Sequence, residues 1–181
     1  GRLPADRPNE RSLHERAMAI AAELQGAATP GDRALLLFPP GLDFIAAFFG
    51  CLYAGVVAVP VAPPGRNRVT SFVEAILAAS NASLILSTAE HCEQTRRSHG
   101  HITGLFQRPW IAVDQVSDEG RYAWRDPQVD ARHTAFLQYT SGSTSSPKGV
   151  ILSHGNLLAN AALIQRAFGN TPESNAVFWL P

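Results

Sequence analysis

The chain has 181 residues, 45% hydrophobic and 17% charged, enough apolar material for one sizeable core and roughly one domain. Fifteen basic residues balance fifteen acidic ones. No net field therefore draws nucleic acid or an anionic membrane, a disordered or fibrous chain is excluded, and any bound anion must be recognised locally.

Leu13, Ala17, Ile20, Ala21 and Leu24 recur at helical spacing and predict a helix over about residues 12–25, with Ser12 and Glu15 at capping-box spacing. "PGD" then breaks the chain, and "RALLLF" from Arg33 reads as a buried strand closed by a "PPG" turn. From Phe44 to Gly65 twenty-two residues carry no charge, which meets the usual length of about 20 apolar residues for a membrane span. Gly50, Gly55, Pro60, Pro63 and Pro64 interrupt that stretch, so it is read as a buried helix, "LDFIAAFFGCLYAG", feeding a buried strand, "VVAVPV". No transmembrane segment and no secretory signal are expected. Cys51 and Cys92 are isolated thiols, neither a disulfide framework nor a zinc site, and they fit a reducing, cytoplasmic compartment.

A second amphipathic helix is expected over about residues 69–79, and "SLILS" from Ser83 to Ser87 as a short buried strand. Residues 88–108 are polar and read as mixed helix and loop; His91, His99 and His101 there have no repeating metal-ligand spacing. "WIAVDQV" reads as another strand, followed by a polar connection from Ser117 to Arg132. "TAFLQYT" and "GVILS" are then two strands, expected to be buried, on either side of a hydroxyl-rich loop. "HGNLLANAALIQRAFG" follows as a helix capped by Ser153 and ended by Gly169, and "NAVFWL" reads as a last apolar strand. Strands alternating with helices predict an α/β domain with a largely parallel sheet flanked by helices. A start at Gly1 without methionine and an apolar strand just before Pro181 suggest a piece of a longer protein.

The loop itself, "YTSGSTSSPKG" from Tyr139 to Gly149, carries four serines, two threonines, two glycines and one lysine. Hydroxyls, open backbone amides and a point charge suit a polyphosphate. The Walker pattern G-x-x-x-x-G-K-[ST] fails here. Pro147 stands where its second glycine belongs, Gly149 where its serine or threonine belongs, and "VILS" continues as strand and not as helix. Proline has no amide hydrogen to donate to an anion. By composition alone an ordinary surface hairpin accounts for the loop equally well. The order of residues, between two apolar strands and ahead of "SHGN" and a helix, favours chemistry.

That order resembles the phosphate loop of the adenylate-forming enzymes, which include acyl-CoA synthetases, luciferases and the adenylation domains of peptide synthetases. "PGDRALLLFPPGLDFIAAFFGCLYAGVVAVPVAPP" resembles a strand–helix–strand segment of the same family, and the likeness runs in register from about Leu13 to Pro181. Within the family, "LQYTSGSTSSPKGV" followed by "SHGNLL" is most similar to the fatty acyl-AMP ligases; Ser145 stands where acyl-CoA synthetases usually have glycine.

The resemblance implies part of the large N-terminal, AMP-binding domain of such an enzyme, the rest of that domain and a C-terminal lid lying elsewhere. It implies ATP and Mg2+, a fatty acid substrate, and an acyl carrier protein or polyketide synthase module as acceptor. Thr140, Ser141, Gly142, Ser143, Thr144 and Lys148 would contact the ATP phosphates, with Thr144 also a magnesium contact. The family's adenine-stacking aromatic, ribose-binding aspartate, magnesium-binding glutamate and C-terminal catalytic lysine lie in segments later than Pro181, so residues 1–181 alone are expected to be inactive. Two alternatives stay open: the equivalent part of an acyl-CoA synthetase, and a non-catalytic truncated domain serving as an interaction module. His154 is read as a helix-start residue, not a general base, since a carboxylate is already ionised at neutral pH. Trp110, Trp124 and Trp179 are read as packing residues.

Overall fold

The structure, a computed structural model, describes residues 9–61, 70–100, 103–140, 147–171 and 174. The expected last strand, Pro63, Pro64, Gly65, His101 and Trp179 lie outside the described residues.

The first helix, α1 (Glu10–Ala27), starts earlier than its apolar spacing predicts. Its capping box is Asn9 with Ser12, not Ser12 with Glu15: the Asn9 side chain accepts from the Ser12 amide at 2.9 Å, and Ser12 Oγ accepts from the Asn9 amide at 2.8 Å. Asparagine is at least as good a cap as serine, and starting there adds almost a turn of intrahelical bonds. Strand β1 (Arg33–Leu37), helix α2 (Leu42–Ala54) and strand β2 (Val57–Val61) follow as expected. Gly55 ends α2 at φ 71°, a left-handed position that suits glycine.

Helix α3 (Thr70–Ser80) leads to strand β3 (Leu84–Ser87), and the polar stretch after it resolves into α4 (Ala89–His99) and a short α5 (Thr103–Phe106). The expected strand "WIAVDQV" is shorter than its composition suggests. Only Trp110–Ala112 pair, as β4, and Val113–Gln115 turn as a 3-10 helix. The turn buries Val113 in the core and lets Asp114 Oδ1 accept from the amide of Ala89, the first residue of α4, at 2.8 Å. A 3-10 helix (Asp118–Ala123) then leads to β5 (Thr134–Thr140), β6 (Lys148–Ser153) and α6 (His154–Phe168).

Among the described residues the sheet has six strands in the order β4-β3-β1-β2-β5-β6; the first five are parallel and β6 returns antiparallel to β5. Along β1 the alternation of strand side chains splits the core. Ala34 and Leu36 join Ile20, Leu24, Ala47, Cys51 and Leu86 beneath α1 and α2, whereas Leu35 and Leu37 join Val59, Val73, Ile76 and Leu105 beneath α3 and α5. Burial on both faces explains why these central strands read as unbroken apolar runs.

One expectation is corrected at the sheet's end: β6 is not a buried strand. Val150 and Ile151 are 52% and 70% exposed, and α6 buries none of its residues, leaving Leu158, Leu163, Ile164 and Phe168 open as well. Apolar residues alone do not say whether anything covers them, and among the described residues β6 has only β5 beside it. Among the described residues no helix is long and apolar enough to cross a membrane.

Candidate functional site

A parallel sheet binds ligands beyond the carboxyl ends of its strands, where neighbouring connections leave on opposite faces. Here that place is between β1 and β2. The connection after β1 runs through α2 on one face, and the connection after β2 runs through α3 on the other. An open, largely apolar cleft of about 390 Å³ lies there, lined by Phe38, Pro39, Pro40, Phe44, Pro60, Val61 and Gln138. Proline in an inner strand explains part of the opening. β2 and β5 share a single bridge, Ala58 against Phe136, and beyond it Pro60 has no N–H to offer β5.

The β5–β6 hairpin delivers the sequence-identified loop to this same edge. Thr140 is the last residue of β5 and Lys148 the first of β6, and the two are direct cross-strand partners. Directly opposed residues on antiparallel strands share a face, with β-carbons about 5 Å apart. Gln138, two residues before Thr140, lies on the same face and lines the cleft. Thr140 and Lys148 are both solvent-exposed. Of the other expected phosphate contacts, Ser141, Gly142, Ser143 and Thr144 lie outside the described residues, as does Ser145. Lys148 opens a strand, which agrees with rejecting the Walker reading.

The opposite face of the hairpin carries Leu137 and Tyr139, both packed on the second core cluster. Tyr139 pairs with Gly149, and burial pushes its hydroxyl above the ordinary range. Gln138 and the "PPG" residues were legible only as strand and turn. Their common signal was position: each lies at the carboxyl end of a strand in a sheet predicted to be parallel.

His154 is not part of this edge. Ser153 pairs with Thr134 at the far end of the hairpin, five residues or about 17 Å from the Thr140–Lys148 pair. Its role is structural, as expected. Ser153 caps α6 in a box with Asn156, and the His154 and Gly155 amides donate to the carbonyls of His133 at 3.0 Å and Ala131 at 2.8 Å. Burial first, and the neighbouring His133 second, hold the His154 imidazole below its ordinary value. Beside it, hydrogen bonds from the Arg132 side chain and amide, then from His133, lower exposed Asp130 to about 2. Trp110 and Trp124 also act as packing residues, donating Nε1 to Leu105 O at 3.0 Å and Tyr53 O at 2.8 Å. Among the described residues no group of three or more histidine, cysteine or acidic side chains could hold a metal ion.

Comparison with known proteins agrees with this geometry. The chain is 45% identical over 175 residues to the medium-chain-fatty-acid acyl-carrier-protein ligase JamA of Moorena producens, an alignment that takes in 94% of this chain and 30% of JamA. The crystal structure of a fatty acid AMP ligase from Legionella pneumophila superposes with a TM-score of 0.82 at 40% identity, covering 91% of this chain and 28% of that one. A Legionella pneumophila fatty acyl-adenylate ligase in complex with acyl adenylate and pyrophosphate superposes with a TM-score of 0.81 at 38% identity, covering 95% and 30%. The chain thus spans about 30% of the length of the curated relative it matches. The AMP-binding enzyme family matches residues 10–181, from the first turn of α1 through the hairpin and beyond, and the chain belongs to that family.

Proposed function

We propose that the chain is the N-terminal part of a fatty acyl-AMP ligase, and that its hydroxyl-rich loop grips the β- and γ-phosphates of ATP. The observation that carries this reading is the pairing of Thr140 with Lys148 across the mouth of the loop, at the sheet edge that opens the apolar cleft. In the reaction a fatty acid carboxylate attacks the α-phosphorus, the bond from that phosphorus to the bridging oxygen breaks, and pyrophosphate leaves. Negative charge gathers on the departing oxygens. Thr140, Ser141, Gly142, Ser143, Thr144 and Lys148 meet that charge with hydroxyls, amides and one cation. Thr144 would be this chain's contact to Mg2+, which would supply further neutralisation of the same charge when bound with ATP.

JamA, by its name, joins medium-chain fatty acids to an acyl carrier protein, and a Legionella relative was crystallised with acyl adenylate and pyrophosphate. JamA's name supports an acyl carrier protein as the acceptor and the Legionella complex supports the adenylate step; a carrier within a polyketide synthase module and a cytoplasmic enzyme are part of the same proposal. The reading also gives the exposed apolar residues of β6 and α6 a partner, the rest of the N-terminal domain.

ATP–pyrophosphate exchange in the full-length protein tests it. A single preorganised donor contributes about 3 kcal/mol, so Lys148→Ala should slow exchange by roughly a hundredfold or more. Unchanged exchange and unchanged ATP affinity in Lys148→Ala/Thr144→Ala would remove the loop from the reaction.

A further inference from the structure

We infer that Tyr139 and Gly149 form a clamp that positions Lys148 against Thr140 at the mouth of the loop; the inference rests on the adenylation reading above. A β-carbon built on Gly149 would lie 2.9 Å from Tyr139 Cζ, 3.0 Å from Cε1 and 3.3 Å from the hydroxyl oxygen. Carbon atoms in ordinary contact stand about 3.5–4.0 Å apart, so the tyrosine ring occupies the space a side chain at 149 would need. Gly149 is not among the glycines with positive φ, which are Gly31, Gly55 and Gly169. The position therefore needs glycine for room, not for backbone conformation.

The ring has little freedom to withdraw. It packs on the core cluster built from α3, α5 and the sheet, and it is half-buried. Among the described residues β6 is the last strand of the sheet and pairs with β5 alone, so within them its position rests on that one partner. An aromatic laid over an edge-strand glycine is a known way to hold such a strand. Lys148 stands between two constraints: Pro147, whose ring fixes φ, and Gly149, held under Tyr139. A shift of the Gly149 backbone would carry the Lys148 backbone with it.

The consequence differs from loss of a packing contact. Support for the fold in general would change the amount of active protein and leave each ligand's affinity alone. A misplaced Lys148 would weaken only what depends on the β- and γ-phosphates. A misplacement near 1 Å costs up to about a hundredfold, so Gly149→Ala should lower kcat/KM for MgATP by roughly tenfold to a hundredfold. AMP, which lacks both phosphates, should bind the variant as it binds the wild type.

The experiment uses the full-length protein, with ATP–pyrophosphate exchange for KM and kcat and direct titration of AMP. Tyr139→Ala, which creates no clash, should show the same fall in kcat/KM for MgATP with unchanged AMP affinity, and Tyr139→Phe should restore kcat/KM because the ring is kept. Tyr139→Ala/Gly149→Ala should be no worse than the poorer single variant. The clamp is overturned if Gly149→Ala and Tyr139→Ala keep wild-type kcat/KM for MgATP, or if ATP and AMP affinity fall together. Lys148→Ala in the same assay separates the two proposals. If Lys148→Ala exchanges normally, the adenylation reading fails; if it is impaired and Gly149→Ala is normal, the clamp alone fails.

Discussion

Gly50 sits where α1 and α2 cross most closely, and replacing it by alanine sets two effects of known size against each other. The new β-carbon would lie 2.6 Å from Ile20 Cγ2, 2.9 Å from Ile20 Cβ and 3.4 Å from the Ala17 carbonyl oxygen. Reaching ordinary contact requires a retreat of about 1 Å. Ile20 is fully buried and β-branched, so it holds one rotamer in a helix and has nowhere to swing. Overpacking of this kind costs about 1–3 kcal/mol. Against it stands the helix-propensity gain of glycine to alanine, about 1 kcal/mol. Packing should win, leaving Gly50→Ala destabilised by about 1 kcal/mol, or roughly 2–4 °C in melting temperature for a domain of this size. Urea unfolding followed by tryptophan fluorescence measures it, since Trp124 is hydrogen-bonded to Tyr53 on α2. Ile20→Ala removes the shortest contact, and in that background the cost of alanine at position 50 should fall by about 1 kcal/mol. If Gly50→Ala instead stabilises the protein by about 1 kcal/mol, propensity governs and the close crossing is not a constraint.

Arg16 donates Nη1 to Val116 O at 2.6 Å and Nη2 to Val113 O, and also pairs with exposed Asp118. Arg16→Met leaves two part-buried carbonyls without their donor and should cost about 2 kcal/mol in urea unfolding, whereas Asp118→Asn should cost less than about 1 kcal/mol; equal losses would refute this division. The His154 imidazole is held below its ordinary value of about 6.5 by burial and by His133, so between that value and its lowered one the unfolded chain binds the proton more readily. Stability should therefore fall as pH drops below about 6.5. NMR titration should place the His154 midpoint under that value and show it rise in His133→Gln; a midpoint at or above 6.5 would refute the assignment. Burial pushes the Cys51 thiol far up and the half-buried Cys92 thiol less, so iodoacetamide followed by peptide mass mapping should label Cys92 in the native protein and Cys51 only after unfolding.

What the sequence discloses depends on how much of the answer is local. β1, β2 and β3 were legible because strands buried on both faces leave unbroken apolar runs, and α2 because Gly55 marks its end. Pro147 was enough to reject the Walker reading, and Lys148 does open a strand. The start of α1 was missed because two residue pairs both satisfied the capping-box spacing, and only the bonds between Asn9 and Ser12 decide between them. The 3-10 turn at Val113 depends on Asp114 reaching Ala89, twenty-five residues away in sequence. Strand order is less local still. That α2 and α3 leave on opposite faces, which opens the cleft between β1 and β2, follows from the chain crossing past β1 after β2 so that β3 pairs on the far side of β1. Nothing in "SLILS" states that.

On the proposed phosphate-binding role, the antiparallel turn at the end of a parallel sheet accounts for the composition of this loop. In a strand–loop–helix phosphate site the lysine arrives at a helix N-terminus, and the free amides and dipole of that helix share the work of holding the anion. Here the chain leaves the loop as β6, so Lys148 has strand neighbours and no helix terminus behind it. The return must be antiparallel. A parallel β6 would carry Lys148 to the other end of a six-residue strand, about 17 Å from Thr140, and no single phosphate group could meet both. Antiparallel pairing solves the placement but leaves the site without helix amides. Hydroxyls then become the donors available in number, and the loop supplies them with four serines and two threonines. The net charge of zero over these 181 residues fits the same proposal, because a polyphosphate held by local donors and one lysine would need no long-range field from them.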